Sequence, residues 1–207
     1  MTMFRVSEVE SFRQWQDDED ADLETLLNRM RGLGEESEAM RAGTAFHKAL
    51  ELAPTGLEVE SLEALDHKFT FAGDFEVELP SVREIRASRV YVVDYEPIII
   101  SGQLDAIFGK RVEDHKTTGR FDADRYMNGY QWRLYLDIFN ADIFRWNIFE
   151  IKQQDHDPMH WEVFASHRLE QFRYPAMHSD CQRLVSDLAR FAREHLPERF
   201  TAKEVAA

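Results

Sequence analysis

Two periodicities divide the chain. Apolar residues recur at helical spacing up to about residue 54. From about Asp66 they alternate every second position, and helical spacing returns near residue 121 and again beyond 169. The first predicted helix covers 7–16 (S-E-V-E-S-F-R-Q-W-Q), with Ser7 as N-cap, Glu10 completing a capping box, and Val9, Phe12 and Trp15 as its apolar face. A second runs over 23–30 and is ended by Gly32 and Gly34. The third, Glu38–Leu52, is the best marked. Met40, Ala42, Ala45, Phe46, Ala49, Leu50 and Ala53 keep the spacing, and Pro54 and Gly56 stop it.

In the alternating region, K-F-T-F-A (68–72), F-E-V-E-L (75–79), R-V-Y-V-V (89–93) and P-I-I-I-S-G-Q-L-D-A-I-F-G (97–109) are predicted strands. Residues 98–100 are apolar on both faces, as suits a strand covered on both sides. Gly109-Lys110 is a tight turn into R-V-E-D-H-K-T-T (111–118), which makes these two strands a hairpin. A helix over 121–140 follows, carried by Ala123, Tyr126, Met127, Tyr130, Leu134 and Ile138. Strands over 143–151 and 160–166 come next, then a long amphipathic helix over 169–195 whose candidate break is Pro175 and whose core contacts are Leu184, Leu188 and Phe191. The pattern predicts an α/β (α+β) single domain of 207 residues: a helical segment over 1–56, a sheet core over 66–168 and a C-terminal helix over 169–207.

Composition narrows the class. Hydrophobic residues at 43% and aromatics at 12% suffice for a packed core. No run approaches the roughly 18 apolar residues of a membrane span. The start lacks a basic segment followed by an apolar one, so no secretion signal is expected. The single cysteine, Cys181, excludes a disulfide framework and a four-cysteine zinc or iron–sulfur site within the chain. A cytoplasmic protein, of a bacterium or a phage-infected host, is the expectation. The net charge of −14 runs against a nonspecific nucleic-acid binder, which draws its affinity from basic residues. Much of the acid sits in D-D-E-D-A-D-L-E (17–24) and L-G-E-E-S-E (33–38), which reads as a solvated face.

The candidate chemistry lies between residues 101 and 135. Asp105 ends one strand, and Asp114 and Lys116 share a face of the next, since side chains two apart on a strand point the same way. Two carboxylates and an ammonium at neighbouring strand ends are poor core material. They suit a divalent metal and an activated water. Mg²⁺ prefers oxygen ligands and takes one or two carboxylates from a protein. A D-x-K triplet alone is commonly a surface ion pair; the acid nine residues earlier, in a strand closed by a turn, makes it more specific. His47 shares a helix side with Gly43 and Leu50. It reads either as a core-edge histidine bonded to a carbonyl or as a ligand that the small Gly43 leaves approachable.

Four segments in this order resemble the PD-(D/E)XK nuclease superfamily, in its RecB-like and phage lambda-exonuclease-like branch. They are G-T-A-F-H-K-A-L-E (43–51), S-G-Q-L-D (101–105), V-E-D-H-K-T-T (112–118) and Q-W-R-L-Y (131–135). The opening V-S-E-V-E-S-F-R-Q-W resembles that branch's N-terminal helix more loosely. The resemblance implies a restriction-endonuclease-like core, a mixed sheet flanked by helices. It implies metal held by His47, Asp105, Asp114 and the backbone carbonyl of His115, with Asp105, Asp114 and Lys116 as catalytic residues and Gln131 and Tyr135 as support for the site or the DNA end. One or two Mg²⁺ or Mn²⁺ ions are the implied cofactor, a histidine ligand favouring Mn²⁺ somewhat. The implied activity is a metal-dependent DNA nuclease, most plausibly an exonuclease of recombination, repair or phage DNA processing. DNA is the implied partner, with a homo-oligomer or a single-strand annealing protein beside it. Some branch members place a glutamate upstream of the first aspartate; Glu76, Glu78 and Glu96 are all candidates here. With one cysteine, the chain departs from the branch's iron–sulfur members.

Other readings stand beside this one. A non-catalytic interaction subunit with the same fold suits the acidic charge. Gln131 and Tyr135 also read as a buried amide and a core tyrosine, and Arg41 and Arg120 as phosphate contacts or exposed ion pairs. Glu113 and His115 alternate away from Asp114 and Lys116, and Trp132, Trp146 and Trp161 read as core. His156, His160, His167 and His178 show no ligand spacing.

Overall fold

A computed structural model describes residues 1–54, 60–73 and 79–200. In chain order these residues form β1 (Thr2–Arg5), α1 (Val6–Asp17), α2 (Leu23–Arg31), α3 (Glu38–Leu52), β2 (Ser61–Ala64), β3 (His67–Phe71), β4 (Arg83–Val93) and β5 (Glu96–Phe108). Then come β6 (Arg111–Thr118), α4 (Ala123–Met127), α5 (Gln131–Phe139), β7 (Ile143–Gln154), β8 (Asp157–Phe172) and α6 (Met177–His195), closed by a 3-10 turn at Pro197–Arg199. Among the described residues the strands make one mixed sheet of eight, in the order β1-β5-β6-β7-β8-β3-β2, with β4 paired to the other edge of β5. This is the mixed sheet flanked by helices that the sequence led us to expect.

Each sheet face carries its own apolar layer. On one, α1, α5 and α6 bury Phe12, Leu134 and Leu188 against Ile98, Ile100 and Phe144. On the other, α3 seats Phe46 against Phe69 and Phe149 at ring separations of 5.0 and 4.9 Å. Trp132, Trp146 and Trp161 are buried, as read from the sequence. Among the described residues no helix is long and apolar enough to cross a membrane.

Several sequence expectations need correction. The first helix begins at Val6, and its capping box uses Arg5 and Glu8 in place of Ser7 and Glu10. The reason is β1, which pairs parallel with β5 and delivers the chain to the helix earlier than Ser7. Glu10 acts elsewhere. Its carboxylate accepts the Tyr130 and Gln131 N–H groups at 2.7 and 3.1 Å, capping α5 from across the molecule. That cap lets the single helix expected over 121–140 break into α4 and α5 around Asn128 and Gly129. Residues 169–172, assigned to the last helix, belong to β8, and α6 starts only after Pro175. Met40 is exposed and does not join the core. The strand expected over 75–79 lies, except for Leu79, outside the described residues, as do Gly56, Glu76 and Glu78.

Candidate active site

The site arises where one edge of β5 changes partner. On that edge β5 pairs with β1 over Ile98 to Ser101 and with β6 over Ala106 to Phe108. Between them, Gly102 to Asp105 pair with neither strand, and β6 runs on beside β7. Backbone groups opened by this fork still need partners. Side chains supply them: Asp105 Oδ2 accepts the His115 N–H at 2.5 Å, and the Tyr135 hydroxyl donates to the Gln103 carbonyl at 2.9 Å. Tyr135 lies so close over the strand that a Cβ at Gly102 would sit 2.5 Å from its ring, which explains the glycine in S-G-Q-L-D.

His47, Asp105, Asp114, Lys116, Gln131 and Tyr135 all line one open cleft of about 890 Å³. His47 Nδ1 lies 3.1 Å from Asp105 Oδ1, and Lys116 Nζ lies 2.8 Å from Asp114 Oδ2. Gly43 does not clear a path to the imidazole, because the space beside it is filled by Thr117, whose Oγ1 would lie 3.0 Å from an added Cβ. Arg41 and Arg120 are exposed and stay out of the cleft; Arg125 lines it instead. Glu96 sits at the far end of β5, paired with Arg193 at 2.9 Å.

The sequence reading missed Glu84, a carboxylate of this cleft. Glu84 on β4 lines the cleft, and its neighbours Arg83 and Ile85 pair with Ala106 and Leu104, which puts Glu84 opposite Asp105. Its φ of 54° is left-handed, a conformation costly for a residue with a Cβ. The Gln103 amide donates to the Glu84 carboxylate. Counting back from the two-residue turn Asp94-Tyr95, where Val93 meets Glu96, would have located it.

The electrostatics follow from burial and crowding. Burial opposes the Asp105 charge, but the His47 hydrogen bond and charge, then His115 once it protonates in acid, and Lys116 hold its carboxyl down at about 2. Asp114 moves the other way: burial pushes it up, Lys116 opposes and Asp105 adds to the rise. Burial works to deprotonate Lys116, yet Asp114 and Asp105 hold it up as an ammonium. Glu84 is raised by burial, eased by its Gln103 hydrogen bond and raised further by Asp105 and Glu51.

The residues flanking this face are structural. Glu113 is fully buried and held by Arg111 at 2.6 Å and Asn147 at 2.8 Å. His115 is buried beside Asn147 and Phe149, and burial lowers its pKa to about 4 against the pull of Asp105, with His47, Lys116 and Arg83 adding to the fall. An imidazole kept neutral in the fold and free to protonate when unfolded makes stability fall below pH 6.5 and keep falling to about 4. The total expected loss is about 3 kcal/mol, from roughly 1.4 kcal/mol per pKa unit. His47, whose pKa is raised, carries the opposite slope above 6.5, and Asp114 and Glu84, also raised, oppose the fall within the window, so the His115 share is read as the difference that His115→Asn makes. Urea unfolding at pH 7, 5.5 and 4.5 checks it, with His115→Asn expected to flatten the dependence.

The donor set suits a divalent cation, although no cage stands ready. Among the described residues no three His, Cys, Asp or Glu side chains form a complete ligand group. His47 and Asp105 hold one another, and Asp114 faces Lys116. Even so, Asp114 Oδ2 is buried without a hydrogen bond, since the Lys116 contact is an ion pair of poor hydrogen-bond geometry. Repelling carboxylates, an imidazole and an orphan buried oxygen in one cleft are the donors that Mg²⁺ or Mn²⁺ takes.

Comparison with known proteins gives the fold. No family model matches the chain, and no curated protein matches its sequence. The structure described as SSO0001 superposes with a TM-score of 0.55 at 15% identity, over 92% of this chain and 77% of that one. In fold, this chain is similar to SSO0001. LHK-Exo in complex with dAMP aligns over 98% of this chain and 94% of that one, at 16% identity and a TM-score of 0.42. The alkaline exonuclease LHK-Exo from Laribacter hongkongensis gives 13%, 95% and 89% coverage, and 0.40. At those scores neither carries weight for what this chain does.

Proposed function

We propose that the chain is a metal-dependent DNA nuclease of the PD-(D/E)XK type, acting as an exonuclease in recombination, repair or phage DNA processing. The observation that carries the reading is the fork between β5 and β6. It gathers Asp105, Asp114 and Glu84 beside an ammonium in one open cleft, although like charges there cost stability. A site with no chemistry to perform has no physical reason to keep them together.

In this reading Asp105, Asp114, His47 and the His115 carbonyl hold one or two Mg²⁺ or Mn²⁺ ions, with Glu84 as a further carboxylate. Such an ion lowers the pKa of water and neutralises charge on a phosphate. Lys116, kept protonated by its two aspartates, orients the attacking water and stabilises the negative phosphate. Tyr135 supports the site through the Gln103 carbonyl, and Gln131, one turn before it, lines the same cleft. With Cys181 as the one cysteine, the reading includes no iron–sulfur cluster. DNA is the partner, with self-association or a single-strand annealing protein as further associations, and the cytoplasm as location.

Degradation of linear and closed circular duplex DNA, with Mg²⁺, Mn²⁺ or EDTA, tests the function. Loss of the linear form alone, abolished by EDTA, is the expected result. Nicking of the circle would make the enzyme an endonuclease. The net charge of −14 favours a second reading, a non-catalytic interaction subunit, and inertness on duplex and single-stranded DNA in either metal would put it first.

A further inference from the structure

The sheet face that bears Asp105 and Glu84 does not end at the cleft. Alternate residues of a strand share a face. The same face of β5 therefore continues through Gln103, Ser101, Ile99 and Pro97. Their register partners on β4 are Arg86, Ser88, Val90 and Val92, and on β1 Met3 and Arg5. The helices α1, α5 and α6 cover the opposite face, where Tyr91, Val93, Ile98 and Ile100 are buried. This one is open: Met3, Val90 and Val92 are 55%, 54% and 61% exposed.

Three features give the face a direction and an occupant. The platform is three strands wide, about 10 Å between the outer two, where β1 pairs over Ile98 to Ser101, and is β4 and β5 alone over Gly102 to Asp105; from Asp105 to Pro97 it runs roughly 26 Å. A strip of that width matches one polynucleotide strand laid along it. On a chain of net charge −14, the charged side chains on this face between the Glu84–Asp105 pair and the Asp94-Tyr95 turn are Arg5, which also reaches Glu8 at 3.5 Å, and Arg86, both cationic. Among the described residues Arg86 has no acidic partner, and its guanidinium donates to Gln103 at 2.8 Å, at the lip of the cleft.

The far end carries the third feature. Asp94 and Tyr95 form the two-residue turn between β4 and β5 with φ of 51° and 68°, a geometry that ordinarily calls for Asn-Gly. A β-carbon at the second position is strained, and the tyrosine held there is 100% exposed. Strain kept to present an unpacked aromatic ring points to something the ring contacts. Every base offers a face to stack on it.

We propose that this open face of β1, β5 and β4 is the track of a single polynucleotide strand. The strand's scissile phosphodiester lies at Asp105, Arg86 and Arg5 meet its phosphates, Ile99, Val90 and Met3 meet its bases, and Tyr95 stacks at the far end. The proposal rests on the nuclease reading and adds the substrate path to it.

The test compares a single-stranded 12-mer, long enough to reach Tyr95, with a trinucleotide confined to the cleft, and reads the ratio of their kcat/KM values. Tyr95→Gly and Val90→Asp are expected to lower that ratio at least tenfold, and Tyr95→Trp to restore it. Tyr95→Gly is also expected to melt no lower than the parent, because glycine relieves the left-handed backbone; lost folding therefore cannot explain its defect. Phe172→Asp, on the exposed end of β8, serves as the control that keeps the parent ratio. A ratio within twofold of the parent in both Tyr95→Gly and Val90→Asp overturns the track while leaving the nuclease reading intact. So does a parent dimer that Val90→Asp splits into monomers at unchanged ratio, which would give the face to a second copy. A parent protein that degrades linear duplex but cleaves neither single strand overturns the track alone; one inert on duplex as well removes the nuclease reading, and the track with it.

Discussion

Asp114→Asn and Lys116→Met are each expected to lower turnover of DNA by at least about 10²–10³-fold, the scale at which removal of one preorganised charge from a reacting centre is felt. Each single variant leaves its partner's charge without its pair and should fold less well than the parent, whereas the double variant should fold as well or better. Asp114 is buried, pushed toward neutrality by burial and by Asp105, and compensated chiefly by the Lys116 ion pair, with His47 adding to it. Replacing a buried ion pair with neutral groups of similar volume is often neutral or stabilising by about 1–4 kcal/mol. Thermal melts run beside the activity assays separate the two effects. In the double variant, falling activity with an equal or higher Tm marks a site held for chemistry at the expense of stability. Equal loss of both would make the pair structural.

The residue one step before Asp114 should behave in the opposite way. Glu113 points to the far face of β6, fully buried, where Arg111, Arg145 and the Asn147 amide converge on its two oxygens. Truncation by Glu113→Ala leaves their charges and the amide without that partner, which costs about 3–5 kcal/mol. Glu113→Gln keeps the shape and one acceptor and should cost distinctly less. Urea unfolding measures both, and activity per folded molecule should change little because Glu113 lies outside the cleft. A Glu113→Ala protein that unfolds like the parent would mean that the arginines find water as a ready substitute.

Neighbouring residues with opposite roles show what a sequence discloses. Period-two alternation was enough to separate Asp114 and Lys116 from Glu113 and His115, because strand geometry is local. The left-handed glycines that end α2 and turn the hairpin were legible for the same reason, at φ of 73° for Gly32 and 58° for Gly109. What was hidden depended on distant partners. The break between α4 and α5 is capped by Glu10, and the start of α1 is set by the pairing of β1 with β5. β8 runs to Phe172 because β7 pairs with it along that length, where the sequence pattern alone read a helix beginning. Glu84 enters the cleft through the β4–β5 register and a left-handed backbone, neither of which its own neighbours in sequence announce.

The central claim is that the cleft at the β5–β6 fork holds a divalent cation on Asp105, Asp114 and His47. Titration of the purified protein with Mn²⁺, followed by calorimetry or by the loss of free-ion spin resonance, tests it without relying on turnover. One or two saturable sites are expected, weakened at least tenfold in Asp105→Asn and in Asp114→Asn and less in His47→Gln, because a removed carboxylate takes a charge with it. Saturable binding left unchanged by both aspartate variants, or no saturable binding at all, would contradict the account.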